Sequence, residues 1–318
     1  DGYMGGRHLE SRDWQIPDFS NVQQGIKPFS KYELVLGIQK KLGRDLLLSA
    51  RFLKSSIQNA IEDIGVWLVG KNIYIYLIGN PGSDWIQQKY DEAIKNGILP
   101  QGVKAIKAIR DYASLQISLD KTFNHNWLAG LSLNWSRLTG NYSGLANSDR
   151  NGRVSPNVLG YFDEWFLTYN EKGEDFTGPL KTDRPFQLKV YGAYSFNWGL
   201  TLGITAYGMS GIPTETAIYL NNSWIQAWYP YGRNSNGRTP FLWQADCYAE
   251  YNLELSDRFT LQFNINITNL TNNKMARSIH MLYNQHAITV RESIILNGFD
   301  ALQTVHDRGV LLDPRYNM

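Results

Sequence analysis

The chain has 318 residues, a formal net charge of +2 and a mean hydropathy of −0.36. That charge offers no global field to nucleic acid, a single cysteine (Cys247) excludes an intrachain disulfide and a multi-cysteine zinc site, and no apolar run approaches the ~20 residues of a spanning helix. Aromatics make up 13%, with Tyr and Trp together outnumbering Phe, which suits a β-barrel membrane protein or a soluble carbohydrate-binding β-protein alike. The chain starts at Asp1 with no initiator Met and no signal peptide, so it reads as a mature chain or a fragment.

Period-2 alternation recurs along the chain. In order, Tyr32, Leu34, Leu36 and Ile38 oppose Glu33, Val35, Gly37 and Gln39, and Leu46, Leu48, Ala50 and Phe52 oppose Leu47, Ser49, Arg51 and Leu53. Next, Leu115, Ile117 and Leu119 oppose Ser114, Gln116, Ser118 and Asp120, and Trp127, Ala129, Leu131, Leu133 and Trp135 oppose Leu128, Gly130, Ser132, Asn134 and Ser136. Phe186, Leu188, Val190 and Tyr194 then oppose Gln187, Lys189, Tyr191 and Ser195, while Leu200, Leu202, Ile204 and Ala206 oppose Thr201, Gly203, Thr205 and Tyr207. Trp243, Ala245, Cys247, Ala249 and Tyr251 oppose Gln244, Asp246, Tyr248, Glu250 and Asn252. The last segment, Phe259 to Thr268, has a wholly apolar and a wholly polar face. Most of these eight segments run roughly 8–10 residues, close to the length a tilted strand needs to cross a bilayer.

Short turns at Lys41–Asp45, Thr122–Asn126, Asn197–Gly199 and Leu255–Arg258 alternate with long connections at Gln58–Asp111, Thr139–Arg184, Ser210–Thr239 and from Leu270 onward. Loops longer than ~12–15 residues are uncommon in compact domains, whereas outer-membrane barrels pair short periplasmic turns with long extracellular loops. Trp127 then falls at the periplasmic start of its strand and Trp135 near the extracellular end, and Phe186 and Tyr194 bracket another strand, as aromatic girdles at both interfaces would. Trp243 and Tyr251 bracket another strand in the same way. Within the loops, Ser83–Gly97 reads as a helix capped by Ser83 or Asp84 and closed at Asn96-Gly97, and Phe299–Val305 as a shorter one.

No phosphate loop, dinucleotide fingerprint, nucleophile elbow or HExxH pattern is present, so the chain is not expected to be an enzyme or to carry a cofactor. Cys247 lies on an apolar face and reads as inert. His280 and His286 share a loop without a third ligand at metal spacing, and Asp149, Asn151 and Gly152 read as a turn rather than a calcium loop. Arg51, Asp120, Lys189, Asp246 and Glu250 sit on polar faces and would point into a barrel lumen, as solvated or plug-contacting groups before a substrate site. The loop Pro213–Arg238 concentrates Trp224, Trp228, Tyr229, Tyr231 and Arg233, which form either a substrate-binding surface or a self-packed loop core.

Several segments resemble, in order, Oar-like TonB-dependent receptors. They are Ile61-Glu-Asp-Ile-Gly65; Leu138-Thr-Gly-Asn-Tyr-Ser-Gly-Leu-Ala-Asn147 with Ser148-Asp149, Gly152-Arg153 and Ser155-Pro-Asn157; and Pro179-Leu-Lys-Thr-Asp-Arg-Pro-Phe-Gln-Leu-Lys-Val-Tyr-Gly192. Ser210-Gly-Ile-Pro213, Gly237-Arg-Thr-Pro240, Asn266-Ile-Thr-Asn-Leu270 and Asp313-Pro-Arg315 follow. The resemblance implies a barrel of about 22 strands with an N-terminal plug inside it. It also implies a regulatory-like β-sandwich ahead of the plug, and energy from an inner-membrane TonB-type partner. Members continue beyond the Asp-Pro-Arg segment into a last strand, so the chain reads as truncated at both ends.

The expected fold is all-β: about eight long strands of an incomplete transmembrane up-and-down antiparallel barrel. Residues 1–30 would be a loop remnant, 31–272 strands and loops, and 273–318 an extracellular loop. The expected function is TonB-dependent transport of an unidentified substrate across the outer membrane of a Gram-negative bacterium. The partners would be the bilayer, a TonB-type complex and an extracellular ligand, with no nucleic acid and a monomeric state. An adhesion or signalling barrel and a secreted glycan-binding sandwich are the alternatives. Small residues on the polar faces, among them Gly37, Ser49, Ser118, Gly130 and Ser132, would underfill a closed eight-stranded barrel, so the strands should form an open arc.

Overall fold

A computed structural model describes residues 19–68, 73–144, 161–221 and 225–276. In chain order the elements are β1 (Ser30–Leu42), β2 (Leu46–Asn59), β3 (Glu62–Leu68), β4 (Ile73–Gly79), α1 (Asp84–Lys95), β5 (Arg110–Asn124) and β6 (Trp127–Gly140). There follow β7 (Gly178–Pro179), β8 (Phe186–Ser195), β9 (Leu200–Met209), β10 (Ile218–Asn221), β11 (Ile225–Trp228), β12 (Leu242–Ser256) and β13 (Phe259–Ile267).

The long strands pair antiparallel in the linear order β1-β2-β5-β6-β8-β9-β12-β13, each beside its predecessor among them. This is the expected up-and-down wall, and among the described residues it is open. β1 and β13 end the path, and every residue of β13 is exposed. Short β7 adds to the top of β6, while β3–β4 and β10–β11 form separate hairpins in the long connections. The tight hairpin between β5 and β6 places His125 (φ 53°) and Asn126 (φ 68°) both at positive φ, which matches the right-handed strand twist and suits asparagine. At the β8–β9 turn only glycine fits, because Gly199 has φ 96° and a Cβ there would stand 2.5 Å from the Asn252 carbonyl oxygen.

Register turns the alternation into two faces. Leu36, Phe52, Leu115, Trp135 and Phe186 form one outward row across five strands. The next row, Gly37, Arg51, Gln116, Asn134 and Gln187, faces the other way. Leu36, Phe263 and Ile265 are 58%, 57% and 63% exposed, so among the described residues nothing packs against their face. Large aliphatics so exposed along a whole sheet face fit a hydrocarbon solvent.

The girdles emerge from the same register: Trp127 pairs with Tyr194, and Trp135 with Phe186. Eight residues at ~3.3 Å each, tilted ~40°, separate those rows by roughly 20 Å along the barrel axis, comparable with the apolar band of such barrels. The lower rim continues through ring contacts from Tyr194 to Phe196 (4.8 Å), Phe196 to Trp198 (5.5 Å) and Trp198 to Tyr251 (6.0 Å). Lys121 sits there with its ammonium 4.1 Å from the Trp127 ring centre, donating to the Asn124 and Trp127 carbonyls, as a snorkelling lysine does at an interface.

The wall has no buried core. Apolar burial is concentrated instead in the long connections, where Ile64, Leu77, Ile86, Tyr90, Phe166 and Trp228 share one cluster. The predicted helix is α1, with Ser83 Oγ accepting from the Ile86 amide and Asn96 as C-cap, and its Ile86, Tyr90 and Ala93 face that cluster.

Candidate functional site

The three long loops fold inward over the concave face. Burial at the long-loop ends of the strands shows this. On β6, Ser136 and Leu138, on the polar-face register, are buried, while the intervening Trp135 and Arg137 are exposed. On β2, Ile57 is buried, while Lys54 and Gln58, on the opposite face, are exposed. Among the described residues, the loop core therefore covers the polar-face side of the wall and not the apolar side.

Specific contacts knit the three loops together. The Gly65 amide donates to the Phe162 carbonyl (2.8 Å), and a Cβ at Gly65 would collide with the backbone of Asp163. The Tyr169 hydroxyl accepts from the Lys104 amide (3.0 Å), joining the first loop to the second. The Trp228 indole donates to the Tyr169 carbonyl (2.8 Å), joining the third. Asp183 binds the Leu138 amide (2.6 Å) and pairs with Arg238, pinning the cap to the top of β6. Burial pushes the Tyr90, Tyr142 and Tyr169 phenols above their ordinary range; at Tyr142 the adjacent Glu62 carboxylate, which the phenol hydrogen-bonds, adds to the effect.

The loop residues singled out by composition separate into two groups. Trp228, Tyr229 and Arg233 are buried in the cap. Arg233 lies 4.8 Å from the Phe176 ring centre, 5.3 Å from that of Tyr161 and 5.6 Å from that of Tyr229, and it donates to Glu215 (3.4 Å). Such a caged cation rigidifies a loop and exposes little to a ligand. Tyr231 is 46% exposed, and Trp224 lies outside the described residues.

The five charged residues of the polar faces share the concave register but differ in engagement. Asp120 accepts from the Tyr191 hydroxyl (3.1 Å). Asp246 accepts from the Asn269 amide (2.7 Å) and Gln244 (2.9 Å), and Glu250 from Tyr248 and from Asn252 (2.8 Å). Arg51 and Lys189 line one cleft of about 380 Å³ with Tyr112, Gln116, Asn134 and Gln187.

His280, His286, Asp149, Asn151, Gly152 and Phe299–Val305 lie outside the described residues. Among the described residues no group of three or more His, Cys, Asp or Glu is placed to hold a metal ion. Cys247 lies on the outer face beside Ile204 and Gly192, in an apolar groove bordered by Trp127 and Tyr194. Sequence reasoning offered a self-packed core for the third loop alone and found neither the hairpins nor the joining of the three loops, although the run Ile73-Tyr-Ile-Tyr-Leu-Ile78 carries a strand signal that β4 realises.

No family model matches the chain. Among curated proteins, the TonB-dependent transporter Oar of Myxococcus xanthus is 29% identical over 269 residues, covering 82% of this chain and 23% of its own length. The Oar-like resemblance carried by the ordered motifs is thus borne out over most of the chain. Two solved structures are similar. The ferric-catecholate import receptor Fiu of Escherichia coli, in its closed form, has a TM-score of 0.45 at 14% identity, over 81% of this chain and 26% of that one. The outer membrane transporter YddB of Escherichia coli has a TM-score of 0.49 at 13% identity, over 80% of this chain and 30% of that one. The chain spans under a third of the length of each of these proteins.

Proposed function

We propose that the chain forms part of the barrel wall and an extracellular cap of a TonB-dependent transporter in the outer membrane of a Gram-negative bacterium. One observation carries the reading: a continuous sheet is apolar on the uncovered face and polar on the face beneath the loops. That polarity is what a lipid-facing wall around an aqueous lumen requires, and it is the reverse of a soluble sandwich, which would bury the apolar face. The similarity to the Oar transporter supports transport over adhesion.

In this reading the wall contributes shape and polarity. The rim aromatics fix its depth in the bilayer, small polar-face residues leave room for an occupant of the lumen, and the cap narrows access from outside. Energy coupling through an inner-membrane partner would act on parts of the protein beyond these strands. Among the described loop residues Trp228, Tyr229, Tyr231 and Arg233, Tyr231 is the exposed one and so the best placed to meet a solute. The test compares cells with and without the full-length protein, in backgrounds with and without an intact TonB-type complex, by profiling the solutes each strain removes from its medium. At least one solute should be depleted only when both are present. Depletion that ignores the coupling complex, or a protein missing from the outer-membrane fraction, overturns the reading.

A further inference from the structure

At the level of one cleft, the wall's unspent hydrogen-bonding capacity is cationic. Its carboxylates Asp120, Asp246 and Glu250 already accept from protein groups: Asp120 from Tyr191 two strands away, Asp246 from Asn269 just past β13, and Glu250 from Asn252 on its own strand. A further carboxylate of the face, Glu33, is taken by Lys31 at 2.7 Å. Arg51 and Lys189 make no hydrogen bond or ion pair to a carboxylate among the described residues, although Arg51 attracts Glu33 at longer range, and both border the cleft lined by Tyr112, Gln116, Asn134 and Gln187. The cleft lies at the level of the upper aromatic row: Arg51, Gln116, Asn134 and Gln187 form the register row next to Phe52, Leu115, Trp135 and Phe186.

We propose that this cleft is a subsite for an anionic solute bearing two or more carboxylate or phosphate groups, held just below the cap. The proposal rests on the transport reading above and names the class of solute the wall accepts. Arg51 and Lys189 belong to strands three steps apart, so their backbones stand about 14 Å or more from each other. A single small anion would meet one cation, whereas a polyanion of metabolite size can meet both. Between them, the amides of Asn134 and Gln187 and the Tyr112 hydroxyl supply neutral donors to the remaining oxygens. The lining is polar and open, without the apolar anchors that a permanently packed protein segment needs, which favours an exchangeable, hydrated ligand.

The test uses the full-length protein in detergent at low salt, titrated with citrate by calorimetry. R51Q and K189Q remove each cation. R137Q removes a positive charge from the exposed outer side of β6 as a control for net charge. Citrate should bind the unaltered protein, weaken about tenfold in R51Q and in K189Q, as expected for loss of one charge-assisted contact, and stay unchanged in R137Q. The charge-keeping variants R51K and K189R should retain most of the binding, which separates loss of charge from loss of folding. Absence of citrate binding by the unaltered protein, or equal loss in R137Q, overturns the proposal. So does a drop in thermal stability of R51Q or K189Q without citrate binding by the unaltered protein, which would assign both cations to carboxylates of the protein itself. Binding is read on purified protein, so its failure leaves the membrane assignment standing. Absence from the outer membrane removes both.

Discussion

The ring of Tyr191 lies across the bare backbone of Gly130 on the adjoining strand: a Cβ at Gly130 would stand 2.6 Å from the Tyr191 hydroxyl oxygen and closer still to its ring. From there the phenol reaches Asp120 one strand further on. Glycine in a strand interior weakens it unless another group needs the space, and here a tyrosine occupies it. G130A should therefore cost about 1–3 kcal/mol of stability by displacing the ring and breaking its bond to Asp120. In a Y191A background the cost should largely vanish. Urea unfolding of the four proteins of this cycle measures the coupling, and equal costs in both backgrounds would remove the packing explanation.

Leu131 and its neighbour Ser132 test the two faces at one depth. Leu131 lies midway between Trp127 and Trp135 and points outward, and Ser132 points inward. L131R should cost about 2–4 kcal/mol, as for a cation at the bilayer midplane, while S132R in a wet lumen should cost far less. Folding into lipid vesicles measures both. Equal penalties would contradict the assignment of faces.

The strands were legible because period-2 patterning is a local property that the pleat converts directly into faces. Phe259 to Ile267 needs no tertiary context to declare which side meets lipid. The alternation of turn and loop lengths likewise fixed the order of strands. The cap was illegible for the opposite reason. Its residues come from three loops far apart in sequence, and Trp228 is buried because Tyr169, 59 positions earlier, supplies a carbonyl for its indole. Aromatic content in a loop does not distinguish a ring offered to a ligand from one packed against other loops, so Tyr231 and Trp228 looked alike in the sequence and differ in the fold. The difference between Arg51 and Asp120 was hidden in the same way, since engagement of a charge depends on cross-strand register.

The Trp228 bond to Tyr169 makes the cap a cooperative unit rather than three independent loops. W228A should cost about 3–5 kcal/mol within the cap, enough to release its loops while the wall keeps its hydrogen-bond ladder. Limited proteolysis of the full-length protein should then cut within residues 161–180 and 213–240 together, leaving strand-protected fragments intact. Cleavage confined to the third loop would show that the loops are held separately.

The three buried phenols give the cap a pH limit. Burial raises Tyr90, Tyr142 and Tyr169 above the ordinary phenol value, with Tyr142 raised further by the Glu62 carboxylate. The folded cap thus holds these protons more tightly than the unfolded loops do. Below about pH 10, the unfolded phenol value, both states are protonated and cap stability is at its full level. As pH climbs past that value the unfolded loops release protons that the folded cap retains, so stability falls with rising pH until the folded phenols also ionise. Near-ultraviolet circular dichroism of the full-length protein should lose cap signal above about pH 10, before the strand signal in the far ultraviolet changes. Y142F, which cannot ionise at that position, should flatten the fall. An unchanged slope in Y142F, or simultaneous loss of both signals, would place the alkaline limit elsewhere in the molecule.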